Sequence, residues 1–375
     1  MRNSEPDSVS APLSEHIHAA IADAGGWVSF DRFMAMALYA PGLGYYSNSL
    51  RKFGLMPASG SDFVTAPELS PLFGRAVANQ VAQALQVTGT SQVFEFGAGS
   101  GALAEQMIDA LDAVAPGLLQ AYTIIDLSGT LRERQAARLA RFGDRVRWAT
   151  RWPEAMHGVV VGNEVLDAMP VQLLHFDGEQ WLERGVASHH DALGAPGFVY
   201  EDRPTELRPP LEAPYVPGTV TEIHLQAEGF IRSLAAHLVQ GAAFFIDYGF
   251  PEAEYYLPQR HMGTLMCHRL HMADDRPLEA VGEKDITAHI NFTGIALAAQ
   301  EAGMDVIGYT SQARFLVNCG VAPMVEAADL AGRAMAQKLL TEHEMGELFK
   351  VIGLAPAGAL PDPIGFMAGD RTHRL

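Results

Sequence analysis

The chain predicts an α/β fold built on a doubly wound, mostly parallel sheet, with an N-terminal helical and loop cap and insertions. Three observations predict it. The apolar run Val93-Phe94-Glu95-Phe96 enters Gly97-Ala98-Gly99-Ser100-Gly101, and Leu103, Met107, Ile108 and Leu111 then share one helical face, giving strand, tight turn, helix. Two further short β-branched runs, Ala121 to Asp126 and Val159 to Glu164, also end in acids. Helical patterns separate these runs, as a parallel sheet requires of its crossovers. Ligands of such sheets bind off the carboxyl ends of the strands, so Glu95, Asp126, Glu164 and the later Asp247 are expected on one crevice.

In chain order, no apolar pattern precedes about Val9, and this stretch is expected to be disordered. Leu13 to Ala24 has helical spacing and stops at Gly25-Gly26; a second helix follows Asp31 with Phe33, Met34, Ala37 and Leu38. Two segments rich in glycine, proline and aromatics come next, Tyr39–Tyr46 and Gly60–Gly74. Their composition suits binding loops as well as rigid loops that cap a core. Ala76 to Leu85 leads as a helix into the Val93 strand, and Leu131 to Phe142 follows the second strand as an arginine-rich helix. After Glu164 a strand is expected at Val171 to Phe176. Asp177 to Pro217 reads as an insertion with a hairpin (Gln180 to Ala187, then Gly197 to Glu201), and Thr221 to Gln240 as a helix. Ala242 to Ile246 reads as a strand ending in Asp247, and Pro251 to Val281 as a second long loop. Helices at Asp285 to Gln300 and Met324 to Leu340 flank a strand near Asp305 to Tyr309. The expected organisation is a cap over residues 1–75 and a catalytic domain over 76–375, with insertions at about 177–220 and 251–284.

Composition sets outer limits. The 375 residues are 48% hydrophobic and 19% charged, enough apolar material for a substantial core. A net charge of −18 disfavours nucleic acid as a partner, since phosphates reward basic patches. Two cysteines, Cys267 and Cys319, suit a reducing compartment. Met1 to Ser10 shows neither a signal-peptide nor a basic transit pattern, and no run has the length of a membrane span, so a cytoplasmic protein of bacterial type is expected. Cys267, His268 and His271 lie close together, but no fourth group at fixed spacing joins them and no metal site is expected.

The glycine turn is the chemical centre. Gly97-x-Gly99-x-Gly101 behind Glu95 is the pattern of S-adenosyl-L-methionine (SAM) methyltransferases, while Gly97-x-Gly99-x-x-Ala102 also satisfies the looser dinucleotide fingerprint. A carboxylate at the strand end favours the cationic sulfonium and disfavours a pyrophosphate, so Glu95 tilts the reading to SAM. Asp126 lies 25 residues beyond Gly101, where the acidic partner of ribose hydroxyls is expected. An N-cap for the following helix is its bland alternative, in competition with Ser128 and Thr130.

Several longer motifs carry a resemblance. Tyr39-x-Pro41-x-x-Gly44-Tyr45-Tyr46, Asp62-Phe63-x-Thr65-Ala66-Pro67-Glu68-Leu69-Ser70-x-x-Phe73-Gly74, Asn163-Glu164-x-Leu166-Asp167-Ala168-x-Pro170-Val171, Asp247-Tyr248-Gly249, Gly263-Thr264-Leu265, Asp285-Ile286-Thr287-Ala288-His289 and Phe349-Lys350-Val351 join the glycine turn in a match that runs nearly end to end. With them the chain resembles the MidA family of class I SAM-dependent methyltransferases. The family pattern has aspartate where Asn291 stands and tyrosine where His268 stands. The resemblance implies a Rossmann-like fold with SAM as cofactor. It also implies symmetric dimethylation of an arginine in the hydrogenase-like, quinone-site subunit of respiratory complex I, in support of its assembly. Glu95, Gly97, Ala98, Gly99, Gly101, Asp126, Leu127 and Asn163 form the expected cofactor set. Guanidinium stays protonated in proteins, so carboxylates must orient it and take up the proton released on methylation. Glu164, Asp167, Asp247 and Glu68 are the candidates in that order, with Tyr45, Tyr46 and the Phe63–Ser70 loop closing over the cleft. Rival readings are a methyltransferase acting on a small molecule or another residue type, a non-catalytic assembly chaperone, and a nicotinamide dehydrogenase.

Overall fold

The computed structural model describes residues 9–48, 64–126, 129–190 and 194–375. The start expected to be disordered, Leu127, Ser128, Asp62 and Phe63 lie outside the described residues. The chain folds as two compact units. One takes Val64–Asp167, Ala227–Pro251 and Ile290–Leu375; the other takes the described part of Met1–Phe63 with Ala168–Gln226 and Glu252–His289.

The first unit contains a large sheet of strands β1 (Gln92–Phe96), β2 (Ala121–Ile125), β3 (Val146–Ala149), β4 (Met156–Asn163), β5 (Leu238–Phe250), β6 (Ile290–Asn291), β7 (Met304–Ser311) and β8 (Phe349–Pro356). Their spatial order is β7-β8-β5-β4-β1-β2-β3, with β6 pairing β5. β5, β4, β1, β2 and β3 run parallel, while β8 is antiparallel to both of its neighbours. The direction of winding reverses between β1 and β4, the switch point where such sheets open a crevice.

Parallel strands buried on both faces need apolar residues throughout, and β1, β2 and β4 supply them. Helices α1 (Pro71–Thr88) and α2 (Ala102–Val114) cover one face with Phe73, Val77, Val81, Met107 and Ile108 against Val93, Val159, Phe244 and Ile246. On the other face Phe96, Trp152, Phe230 and Phe245 pack in tilted and edge-to-face contacts as one aromatic cluster. The strands approach so closely at one level that side chains are excluded. A Cβ on Gly158 would lie 2.1 Å from the Gln92 carbonyl oxygen, and one on Gly241 1.7 Å from that of Gly158.

The second unit is antiparallel. Trp27–Ser29, Trp181–His190, Gln172–Phe176 and Thr219–Ile223 form one sheet, with Pro196–Pro204 also paired to Trp181–His190. Met266–Arg269 sits between Met272–Asp274 and Asp285–Thr287 in a smaller one. Its core packs Leu13, Ile17 and Ile21 of the helix Ser10–Asp23 and Phe30, Phe33 and Met34 of the helix Phe30–Tyr39 against Leu173, Val186 and Ile286. Glu222 is fully buried there and accepts hydrogen bonds from the Thr264 and Leu265 amides (2.8 and 3.0 Å) and the Tyr255 hydroxyl (2.8 Å). Gly263 stands where a Cβ would meet that carboxylate at 2.4 Å, which accounts for the Gly263-Thr264-Leu265 motif.

Several sequence expectations are corrected. Val171–Phe176 is a strand of the antiparallel sheet, because Gln172–Phe176 finds its partners in Trp181–His190 and Thr219–Ile223. Thr221–Gln240 is a strand ending at Ile223, a helix Leu225–His237 and the start of β5; its β-branched beginning outweighs an overlapping helical spacing. Asp285–Gln300 likewise begins with two short strands before the helix Phe292–Glu301, whose N-cap Asn291 accepts from the Gly294 amide at 3.3 Å. Asparagine and aspartate cap equally well, so the departure at Asn291 keeps the cap. Met324–Leu340 is two helices, Val321–Ala327 and Leu330–Leu340, with Asp329 capping the second. The segment 251–281 is not all loop but carries the Met266–Asp274 hairpin, and His268 and His271 stand on its strand and turn. Tyr45, expected over the cleft, is buried in the second unit's core, and Tyr46 donates to Asp285 at 2.9 Å. The Tyr39–Tyr46 loop thus takes its bland role as a core cap.

Candidate active site

The glycine turn follows β1 with Gly97, Gly99 and Gly101 all in the left-handed region (φ 64°, 52° and 83°), which side chains other than glycine's resist. A Cβ at Gly97 would also press on Val165 at 3.0 Å. Backbone is therefore presented bare at the switch point. Helix α3 (Gly129–Leu139) closes the turn from the side. Its Gln135 donates to the Gly99 carbonyl (3.0 Å) and to Asp126 (2.9 Å), while Arg138 donates to Ser100 (2.8 Å), Glu68 (3.2 Å) and Glu105 (2.8 Å). Ser100 also hydrogen-bonds Glu68.

Glu68 is thus brought to the glycine turn and paired with an arginine. Asp126, directly after β2, is half-buried and accepts from the same Gln135 amide that donates to the Gly99 carbonyl of the turn. Glu95 turns into the core beneath the turn, where the Tyr122 hydroxyl donates to it at 2.7 Å. Burial pushes its pKa up to about 8, against the hydrogen bond from Tyr122, and Asp126 adds to the rise. Ala98 is buried within the turn.

A second cluster forms at the carboxyl ends of β4 and β5. Asp247 is buried, and its Oδ2 accepts from the amides of Val165, Leu166 and Asp167 (3.2, 2.9 and 3.2 Å), with Oδ1 accepting from Tyr248 (2.9 Å). Burial raises its pKa well above the carboxylate range, helped by the charges of Asp167 and Glu164 and opposed by the amides. Asp247 is therefore engaged in folding the 165–167 turn back on the strand edge. Asp167 is buried and receives the Tyr248 hydroxyl. Glu164 has a left-handed backbone (φ 53°), costly for a side chain with a Cβ and typical of residues held in place for function. The Asn163 amide donates to Glu164 at 2.9 Å, and Asn163 Oδ1 is a buried acceptor with no partner among the described residues.

The structure thus gathers Glu164, Asp167 and Asp247, and separately gathers the glycine turn with Asp126, Glu95 and Glu68. Sequence reasoning missed Gln135, Arg138 and Trp148, whose signal was faint: polar residues on one turn of an arginine-rich helix and on the next strand. Among the described residues no three His, Cys, Asp or Glu side chains are gathered for a metal, and both cysteines are free and buried. No described helix is long and apolar enough to cross a membrane.

These residues fit a nucleoside with a cationic amino-acid tail: bare backbone at the turn, a carboxylate for ribose hydroxyls, and an orphaned carbonyl acceptor at Asn163. Comparison with known proteins agrees. Residues 76–310 match a family whose description reads "Putative S-adenosyl-L-methionine-dependent methyltransferase". A Burkholderia thailandensis protein crystallised with S-adenosyl-homocysteine is similar over the whole of both chains, at 47% identity and a TM-score of 0.93. The protein arginine methyltransferase NDUFAF7, mitochondrial, of Danio rerio is 25% identical over 93% of this chain and 88% of its own. Its Homo sapiens counterpart is 25% identical over 94% and 86%. The chain belongs to the MidA-like family of SAM-dependent methyltransferases, enzymes that take SAM as cofactor.

Proposed function

We propose that this methyltransferase acts on arginine in a protein, placing two methyl groups symmetrically on the guanidinium. The client we propose is the hydrogenase-like subunit that borders the quinone site of respiratory complex I. Glu164 and Asp167, gathered beside Asp247 at the ends of β4 and β5, carry this reading, since carboxylates are the matching acceptors for a planar guanidinium. The arginine methyltransferase names of relatives spanning 93–94% of the chain support it.

In this reading Gly97, Ala98, Gly99 and Gly101 accept the nucleoside against bare backbone, and Asp126 takes its ribose hydroxyls. Leu127 lies beside Asp126 in sequence and joins that set. Asn163 Oδ1 takes the amino group, and Glu95, hydrogen-bonded by Tyr122, supports the turn from beneath. Bound SAM supplies a methyl carbon already activated by the sulfonium. Positioning supplies most of what remains. Asp247 holds the 165–167 turn, Asp167 and Glu164 grip the guanidinium N–H groups, and Glu164 takes the proton that the attacking nitrogen loses. Glu68, paired with Arg138, steadies the turn through Ser100.

Incubation of the enzyme with SAM and the client subunit, followed by mass spectrometry, tests the proposal. One arginine is expected to gain first one and then two methyl groups. Glu164→Gln is expected to lower the rate by roughly 10²–10⁴-fold, the usual worth of a general base, with SAM affinity changed only a few-fold. Methylation of any other residue type, or SAM binding with an unmodified client, overturns it.

A further inference from the structure

The side chain of Gln135 joins two pieces of the nucleoside cradle that come from different strands. It is fully buried on α3. Its Nε2 donates to the carbonyl of Gly99, in the turn after β1, and to Asp126 Oδ2, at the end of β2. Its Oε1 accepts from Trp148 Nε1 on β3 at 3.0 Å. An indole N–H can only donate, so Trp148 fixes which end of the amide is oxygen. Both hydrogens of Nε2 are thereby committed, one to the turn and one to the carboxylate. The helix backs closely on the turn: a Cβ on Gly101 would lie 3.6 Å from Gln135 Cα and Cγ. Trp148 is itself covered by the Arg132 guanidinium, 5.9 Å from its ring.

We propose that Gln135, oriented by Trp148, is a positioning residue that sets the Asp126 carboxylate against the glycine turn and so determines recognition of the cofactor's ribose hydroxyls. This rests on the reading of Asp126 as the ribose partner. A hydrogen bond from Gln135 on Oδ2 narrows the plane in which the carboxylate meets a hydroxyl, and losing that bond widens it. Methionine matches glutamine in length but cannot donate, so Gln135→Met removes both bonds with little change in volume.

The test is calorimetric titration of the full chain with S-adenosyl-homocysteine and with its 2′,3′-dideoxy analogue. Their affinity ratio reads ribose recognition alone, which a general loss of packing would leave unmoved. The unaltered protein is expected to prefer the ribose form by about tenfold or more, the worth of hydrogen bonds to a charged group. Asp126→Ala is expected to erase that preference, and Gln135→Met to reduce it to about threefold or less. The double variant is expected to match Asp126→Ala alone. Trp148→Phe, which removes only the anchoring N–H, gives an intermediate ratio and serves if Gln135→Met folds poorly. If Asp126→Ala loses the preference while Gln135→Met and Trp148→Phe keep it in full, the positioning role is overturned and the ribose reading stands. If Asp126→Ala keeps it, both fall.

Discussion

The carboxyl of Glu95 lies among apolar side chains with the Tyr122 hydroxyl as its hydrogen-bond donor. Its pKa in the folded protein is about 8, against 4.5 for an unperturbed glutamate. Between these values the folded chain keeps a proton that the unfolded chain has released, so stability from this group falls as pH rises through that window. Glu95→Gln removes the titration. Relative to the unaltered protein the variant is expected to gain stability from pH 5 to pH 8, by at most about 4 kcal/mol. Denaturant melts at both pH values measure it, and a difference that does not change with pH sinks the idea. Asp247 shows the other use of a buried carboxyl, with four amides gathered on two oxygens. The sequence placed both acids near strand ends, where motif and spacing pointed. What each one touches came from strands and turns remote in the chain, Tyr122 for Glu95 and the 165–167 turn for Asp247.

At the scale of elements, the central crossing of β1, β4 and β5 depends on absent side chains. Gly241 combines φ 131° with a carbonyl oxygen 1.7 Å from where its Cβ would lie. Gly241→Ala must displace β5 from β4 and is expected to cost roughly 3 kcal/mol or more, a value in the range reserved for backbone strain and core overpacking. A thermal or denaturant melt of the purified variant checks it, and an unchanged midpoint would refute the crossing geometry. By contrast the Arg145–Asp112 pair between α3's 3₁₀ extension and α2 (2.7 Å) is about one-third exposed on each side. Its removal is expected to cost under about 1 kcal/mol. The strands β1, β2 and β4 were legible because full burial leaves an uninterrupted apolar run. β8 went unassigned although Val351 to Ala355 is an apolar run of the same kind, buried between β5 and β7.

Over the whole molecule, 44 acidic residues against 26 basic ones leave a net charge of −18. A field of that sign steers a cationic segment toward the surface and is screened by salt over about 8–10 Å at physiological ionic strength. The KM for an arginine-bearing client peptide is therefore expected to rise several-fold between about 0.05 and 0.5 M salt, while SAM affinity, resting on partly buried contacts, moves much less. Steady-state kinetics at both salt levels decide it, and equal shifts for the two ligands would count against steering.

By itself the sequence determined the parallel α/β core and the glycine turn that follows its first strand. Both rest on short-range physics: an apolar run long enough for one buried strand, three glycines at left-handed φ, and an acid at the next strand end. The tertiary structure alone decided that the described parts of three separated stretches, 1–63, 168–226 and 252–289, build one antiparallel unit. It also decided that Val171–Phe176 joins that unit, that Tyr45 is core, and that Gln135 meets Gly99 and Asp126. Those outcomes depend on which distant segments meet, and a local pattern of apolar and polar residues specifies that a face is buried without naming the partner that buries it.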